Sequence, residues 1–276
     1  MNQNWIVENI LNAFATWNDK LAELWTLVTM SPESFKGGTV WAVMQNIHSG
    51  LLAVGYGLLI LFFAMSIFKN TANFHELKRP EAAIGYLIRF VAAKAAVTYG
   101  MEIMLKVFEV CNGIVAQAAA GLGGISQAMV YLPVEIETAI RDVGFLASIP
   151  LWLVTILGSL LITVLSFVMI LSVYARFFRL YMYTALAPVP LAAFAGESTQ
   201  SFGISFLKSY IGVCMEGAVI VLACVIYAGF VTAPNVITGE ATSIVWSYLA
   251  EVCFNMLVLV GLIKGSDRVI HEMMGL

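Results

Sequence analysis

An uncharged apolar run over residues 151–173 constrains the fold of this chain more than any other feature. A helix needs about 20 apolar residues to cross the hydrocarbon core of a bilayer, and this run is long enough. Similar runs recur, so that 61% of the 276 residues are hydrophobic and only 11% are charged. A soluble domain of this size would need far more polar surface. The sequence therefore predicts an all-α integral membrane protein.

About five transmembrane helices are predicted when the apolar runs are compared with the thickness of a bilayer. The predicted spans are 39–68, one span within 81–118, 151–173, 210–231 and 245–263. Basic residues favour the cytoplasmic side of a membrane, and Lys69, Lys78 and Arg79 follow the first span. This bias predicts an N-terminus outside, an extracytoplasmic region at about 111–149, and a C-terminus with Lys264 and Arg268 in the cytoplasm.

The first 38 residues are organised differently from the polytopic domain that follows at 39–276. Apolar side chains recur every three or four positions at Ile6, Ile10, Phe14, Trp17, Leu21, Leu24 and Val28. That period predicts an amphipathic helix on the outer side of the membrane. Trp5 and Trp25 favour an interfacial position, so the helix either lies on the bilayer or packs against a partner subunit.

Residues 180–194, here called the Ala-Pro segment, are too short and too interrupted for an ordinary span. Pro188 and Pro190 break the apolar run, and a polar hinge at Glu197 follows. Two interpretations stay open: a re-entrant dip and a proline-kinked sixth span. The dip is favoured, because a full crossing would place the basic residues of the C-terminus outside.

Four ionisable side chains lie in otherwise apolar predicted helices: Lys94, Glu102, Glu216 and Glu251. Such groups are costly in lipid, so they usually face a partner or a water-filled cavity. Lys94 is predicted to pair with Glu216 or Glu251. The alternatives are that these groups line a hydrated passage or extend to the interface, the latter chiefly for Glu102.

The sequence offers no catalytic signature, so the chain is not expected to be an enzyme. Glycine-rich phosphate loops, GxSxG and HExxH are all missing from the sequence. Cys111, Cys214, Cys224 and Cys253 have no paired spacing, and the three histidines fit no ligand pattern. We expect no cofactor, structural zinc or disulfide framework.

The tract over residues 176–227 carries a family resemblance. It reads RFFRLYMYTALAPVPLAAFAGESTQSFGISFLKSYIGVCMEGAVIVLACVIY. An arginine-rich span end at Arg176 and Arg179 precedes a small-residue stretch with Ala187, Pro188 and Pro190. An acidic hinge at Glu197 then leads into the next span. This pattern resembles the TrbL family of membrane subunits of conjugation and type IV secretion machines, which includes the sixth VirB component. The compact length is similar to versions found in Gram-positive mobile elements.

The resemblance implies a topology and a role. It implies an outside N-terminus, about five helices, a central extracytoplasmic region and a cytoplasmic C-terminus. It further implies a non-enzymatic channel or scaffold subunit in the cytoplasmic (inner) membrane, which passes single-stranded DNA with its relaxase, or protein alone. Its expected partners besides the lipid bilayer are further copies of itself, the secretion ATPases and other membrane scaffold subunits.

The resemblance also implies roles for parts of the tract. Arg176 and Arg179 would anchor the cytoplasmic edge, and the segment from Ala187 to Pro190 would form subunit contacts or narrow the passage. Two alternatives from other classes stay open: a secondary transporter or small-solute channel, and an assembly platform with no lumen. Transporters usually show matched broken helices in two halves, whereas this sequence has one broken segment and no internal repeat.

Overall fold

The computed structural model describes residues 4–71, 80–120, 128–231 and 241–275. Within these ranges the regular elements are helices and no strand occurs, which confirms the all-α prediction. The helices are α1 (Asn4–Thr29), α2 (Thr39–Thr71), α3 (Pro80–Thr98), α4 (Gly100–Ala120), α5 (Val134–Asp142), α6 (Phe145–Leu186), α7 (Pro188–Ala192), α8 (Gln200–Val231) and α9 (Ala241–Met274). Short 3-10 turns at Phe35–Gly38 and Ala193–Ala195 precede α2 and follow α7.

Five helical stretches in the described ranges are long and apolar enough to cross a bilayer, as predicted. They are Phe35–Lys69, Gly100–Ala120, Ile149–Leu186, Gln200–Gly229 and Ser243–Met274. The second predicted span, 81–118, is divided into α3 and α4. Its helical hydrogen bonding continues across the division, because the Tyr99 amide donates to the Ala95 carbonyl and the Ile103 amide donates to the Tyr99 carbonyl, both at 2.9 Å.

The chain forms two compact units. Unit 1 comprises Met1–Thr29, Ile114–Ala175 and Gly217–Ser266, and unit 2 comprises Met30–Gly113, Arg176–Glu216 and Asp267–Leu276. The boundaries fall inside helices, so α4, α6, α8 and α9 each contribute residues to both units.

In unit 1, α1 packs lengthwise against α6. The rings of Trp5 and Trp152 lie 6.0 Å apart, and further along the Tyr174 hydroxyl donates to Glu23 at 3.0 Å. These pairs advance in the same direction along both helices, so α1 runs parallel to α6. Glu23 also accepts a 2.6 Å hydrogen bond from Lys20, which raises the pKa of that amine.

The apolar stripe of α1 is covered by the chain itself. All its predicted members are buried: Ile6, Ile10, Phe14, Trp17, Leu21, Leu24 and Val28. The predicted spacing of apolar residues is therefore confirmed. The two surfaces predicted to cover that face need correction, because neither the lipid surface nor another subunit covers it. A stripe already buried has no free apolar surface for either. The position of α1 outside the membrane stays a prediction.

The extracytoplasmic region predicted at about 111–149 is described from residue 128 onward, together with the end of α4. Its glycine-rich part, Gly121–Gly124, lies outside the described residues. The side-chain amide of Asn18 donates to the Val130 carbonyl at 2.9 Å and accepts from the Val130 amide at 3.0 Å, which fixes the chain before α5 to α1. Ile136 and Ile140 are buried on the inner side of α5.

Candidate functional site

Arg176 is a fully buried charge in the interior of unit 2. Its guanidinium donates from Nε to the Val213 carbonyl at 3.3 Å and from Nη2 to the Cys214 carbonyl at 3.0 Å, both on α8. The Phe108 ring of α4 lies 5.9 Å from the guanidinium carbon. The family resemblance placed Arg176 as an anchor at the membrane edge. That role is incorrect for this side chain, because no part of it is exposed.

Arg179 lies one turn further along α6 and joins two acidic side chains. Its Nη2 donates to both carboxylate oxygens of Glu216 on α8, at 2.7 and 2.8 Å. Its Nη1 forms an ion pair with Asp267 on α9. His271 Nε2 lies 3.5 Å from the same Asp267 oxygen. We call Arg176, Arg179, Glu216, Asp267 and His271 the arginine cluster.

The arginine cluster corrects the pairing predicted for Glu216. Its partner is Arg179, and Lys94 is exposed on α3. Residues three apart on a helix share a face, which explains why Arg176 and Arg179 both point toward α8. Glu216 is 3% exposed, and a buried carboxylate needs a charge partner of this kind. Such a group, bound on both oxygens, is not available to line a hydrated passage.

The Ala-Pro segment runs alongside α2 in unit 2. The His48 ring Nδ1 donates to the Thr184 carbonyl at 2.8 Å near its start. Pro188 then lies against Gly55, and the Glu197 amide donates to the Ser66 hydroxyl at 3.4 Å. These contacts advance along α2 from His48 to Ser66, roughly 27 Å of helix. Residues 180–186 are the last turns of α6, and the chain turns only after Ala195, before α8.

This course bears on both interpretations of the Ala-Pro segment. Pro188 does break the helix, as the kinked interpretation requires, but 180–194 is not a span separate from α6. The segment also does not return on itself as a dip would, because its contacts keep the direction of α2. Its position relative to a membrane stays a prediction.

Side chains of the Ala-Pro segment form much of the core of unit 2. Ala187, Pro188 and Pro190 are all buried, and α7 packs against both α2 and α3. The implied role of these residues in subunit contacts or in narrowing a passage therefore needs correction. Their surfaces are covered by helices of the same chain.

The remaining predicted residues are dispersed. Glu102 is exposed in the first turn of α4, and Glu251 is half-buried on α9 in unit 1. The Glu197 side chain is 63% exposed, with its Oε2 3.6 Å from Arg89 Nη1. None of these three joins the arginine cluster.

Two features of unit 2 were missed in the sequence. Asp267 forms the second ion pair of Arg179. The sequence could have indicated this pair, because Asp267 is an acidic residue just after the last predicted span, on the same side of the membrane as the side predicted for Arg179. The thiols of Cys111 and Cys214 hydrogen-bond to each other, which sequence spacing could not indicate. All four cysteines are free and buried, and no group of three or more potential metal ligands occurs among the described residues.

Comparison with known proteins identifies the family. A family model described as TrbL/VirB6 plasmid conjugal transfer like protein matches residues 17–188, which is more than half of the 276 residues. The match begins within α1 and includes only residues 176–188 of the tract on which the resemblance was based. Neither the curated proteins nor the solved structures contain a match. The match over α1 to α6 shows that the chain belongs to the TrbL/VirB6 family of conjugal transfer proteins, and that it is a multi-pass membrane component of such a system.

Proposed function

We propose that this chain is a non-enzymatic channel or scaffold subunit of a conjugative type IV secretion machine. It would act in the cytoplasmic membrane, where it helps pass single-stranded DNA with its relaxase, or a protein, with energy supplied by the machine's ATPases. The observation that carries the finer part of this proposal is the arginine cluster. Its charges join α6, α8 and α9 within one chain, and two of them, on Arg176 and Glu216, are buried.

The exposed polar face of α3 and α4 supports a passage formed between copies of the chain. Lys94, Thr98 and Glu102 follow each other at intervals of four, which places them near one helical face, and all three are exposed. The Tyr56 hydroxyl also lies there, 2.9 Å from the Thr98 hydroxyl. Charged side chains facing lipid are costly, so this face is expected to meet water or another subunit.

The basic residues support the orientation proposed for the chain. Lys69 ends α2, and Lys264 and Arg268 lie in the last turns of α9. The preference of such residues for the cytoplasmic side supports an N-terminus outside and a C-terminus inside. The secretion ATPases would then meet the ends of α2 and α9.

Purification from native host membranes in mild detergent tests the proposal. Mass spectrometry of the copurifying proteins and the mass of the particle are measured together. We expect a multimer of this chain together with conjugation ATPases and other membrane scaffold subunits. Isolation as a monomer or dimer with none of these proteins would contradict the proposal and favour the transporter alternative.

Charge reversal at Lys94 separates a passage from an assembly platform in the same preparation. Lys94→Glu is expected to lower the frequency of transfer at least tenfold while the purified particle keeps its mass. Lys208→Glu is the matched control, because Lys208 is an exposed lysine on α8 in the same unit. Loss of the assembled particle in Lys94→Glu would show instead that this face only joins subunits.

A further inference from the structure

Two thiols meet in the interior of unit 2. Cys111 on α4 and Cys214 on α8 hydrogen-bond to each other through their side chains. Both are buried, and Cys111 keeps only 5% of its surface exposed. The other two cysteines, Cys224 and Cys253, belong to unit 1, and neither bonds to a thiol in the part of the chain that the structure describes. Cys111 and Cys214 are therefore the cysteines placed to react with each other.

Contacts near this thiol pair hold α4 and α8 together. One turn before Cys214, the Tyr210 hydroxyl donates to the Met104 carbonyl of α4 at 2.8 Å. The Arg176 guanidinium donates to the Cys214 carbonyl at 3.0 Å, and its carbon lies 5.9 Å from the centre of the Phe108 ring of α4. The position of the two sulfur atoms is thus set by the packing of both helices and not by the thiols alone.

We propose that Cys111 and Cys214 are an oxidation site, at which hydrogen peroxide converts the thiol pair into a disulfide that joins α4 to α8. One sulfur, as its thiolate, attacks the peroxide, the oxygen–oxygen bond breaks, and the departing hydroxide takes up the proton as water. This step leaves a sulfenic acid. The second thiol attacks that sulfur, the sulfur–oxygen bond breaks, and a second water leaves. Each sulfur loses one electron, and the peroxide accepts both.

Burial decides which oxidants can reach the pair. Hydrogen peroxide is small and uncharged, so it can enter an interior from which a bulky or charged reagent is excluded. Because the two thiols are already in contact, the disulfide needs rotation of side chains and little movement of the backbone. A crosslink between residues far apart in the sequence restricts the unfolded chain, so the oxidised protein is expected to be more stable than the reduced protein.

Peptide mapping of the full chain in nanodiscs tests the site. The protein is treated with hydrogen peroxide, the remaining thiols are alkylated during unfolding, and the digested peptides are identified by mass spectrometry without reduction. Met273, which is 74% exposed, reports by its conversion to the sulfoxide that the dose was sufficient. We expect a linked pair of peptides that hold Cys111 and Cys214, separated again by dithiothreitol. Cys224 and Cys253 are expected to stay free thiols.

Thermal unfolding of the same samples tests whether the crosslink fits the packing of the two helices. Oxidation is expected to raise the midpoint of the wild type. Dithiothreitol, which reduces the disulfide and not the methionine sulfoxide, is expected to reverse the rise. Cys111→Ser should show no rise on oxidation. Cys224→Ser is the matched control, because Cys224 is another buried cysteine of α8, and it should behave as the wild type.

Three results would overturn the proposal. The first is that Cys111 and Cys214 remain free, or are oxidised separately without linkage, in a sample whose Met273 is oxidised. The second is a disulfide between two copies of the chain, because the thiols would then face outward. The third is a disulfide within the chain that leaves the midpoint of unfolding unchanged or lowers it, because the helices would then not lie as close as the thiol contact requires.

Discussion

Arg179 binds Glu216 on α8 and Asp267 on α9 at the same time, so this one side chain joins three helices of unit 2. Burying a carboxylate costs several kcal/mol, which is offset only when the partner and its geometry are good. The bond to both oxygens of Glu216 meets that condition. Asp267 is 44% exposed, so water can solvate it in addition to Arg179.

Replacement of Arg179 by leucine is expected to destabilise the chain strongly. The change leaves the Glu216 carboxylate buried without its cation, which costs about 3 kcal/mol, the lower part of the range for buried pairs because Arg179 is partly exposed. The thermal midpoint of unfolding in detergent measures the effect. The double variant Arg179→Leu with Glu216→Leu is the control, and it should recover most of the loss. A double variant as unstable as the single one would contradict the ion-pair account.

The limits of sequence reasoning are visible at this cluster. The cost of burying an isolated charge was sufficient to select Glu216 as a residue that needs a partner. The identity of the partner depends on the rotation of α6 and α8 about their axes, which the apolar composition of both helices does not specify. Charge alone allowed Lys94 to be the partner of Glu216, but the Lys94 side chain is exposed on α3.

At the scale of elements, the packing of α2 against the Ala-Pro segment depends on a glycine. A Cβ on Gly55 would lie 2.9 Å from the Pro188 carbonyl oxygen and 3.2 Å from a Val97 methyl. Small residues permit such close approach of backbones between membrane helices. Gly57 lies two residues further along, on the opposite face of the same helix, and has open space around its Cβ position.

Alanine substitutions at these two glycines are expected to have opposite effects. Gly55→Ala must displace the Pro188 backbone, and overpacking of this kind costs about 1–3 kcal/mol. Gly57→Ala is expected to be neutral or slightly stabilising, since alanine favours a helix over glycine. Thermal unfolding of the two variants in the same detergent measures the difference. Equal midpoints would show that the Ala-Pro segment does not rest on Gly55 as closely as described.

The helices themselves could be predicted, whereas their contacts could not. The period of three to four residues in α1 reflects one buried face, and any large apolar surface would satisfy that pattern. In the structure α1 packs along α6, with Trp5 beside Trp152 and Tyr174 bonded to Glu23. These contacts join parts of the chain about 150 residues apart, and no local pattern encodes such a pairing.

At the scale of the whole molecule, family membership and charge placement lead to the same proposal. The family match makes the chain a component of a conjugal transfer system. The charges of the arginine cluster are paired within the chain, whereas Lys94 and Glu102 remain exposed on α3 and α4. A passage for a large polar cargo would therefore be built from several chains, each presenting that exposed face, and not through the interior of one chain.

Cysteine labelling determines the orientation that this assembly requires. In intact cells, a maleimide that does not cross the membrane is expected to label Asp142→Cys at the end of α5, in the region predicted to lie outside, and to leave Glu197→Cys unlabelled until the cells are opened. Both side chains are exposed, so access to them depends on the side of the membrane and not on packing. The native cysteines are all buried and give a low background. Loss of the 3.6 Å contact between Glu197 and Arg89 costs at most about 1 kcal/mol, so the variant should fold. Labelling of Glu197→Cys from outside would place the end of the Ala-Pro segment on the outer side, and the ATPases could not then meet the ends of α2 and α9.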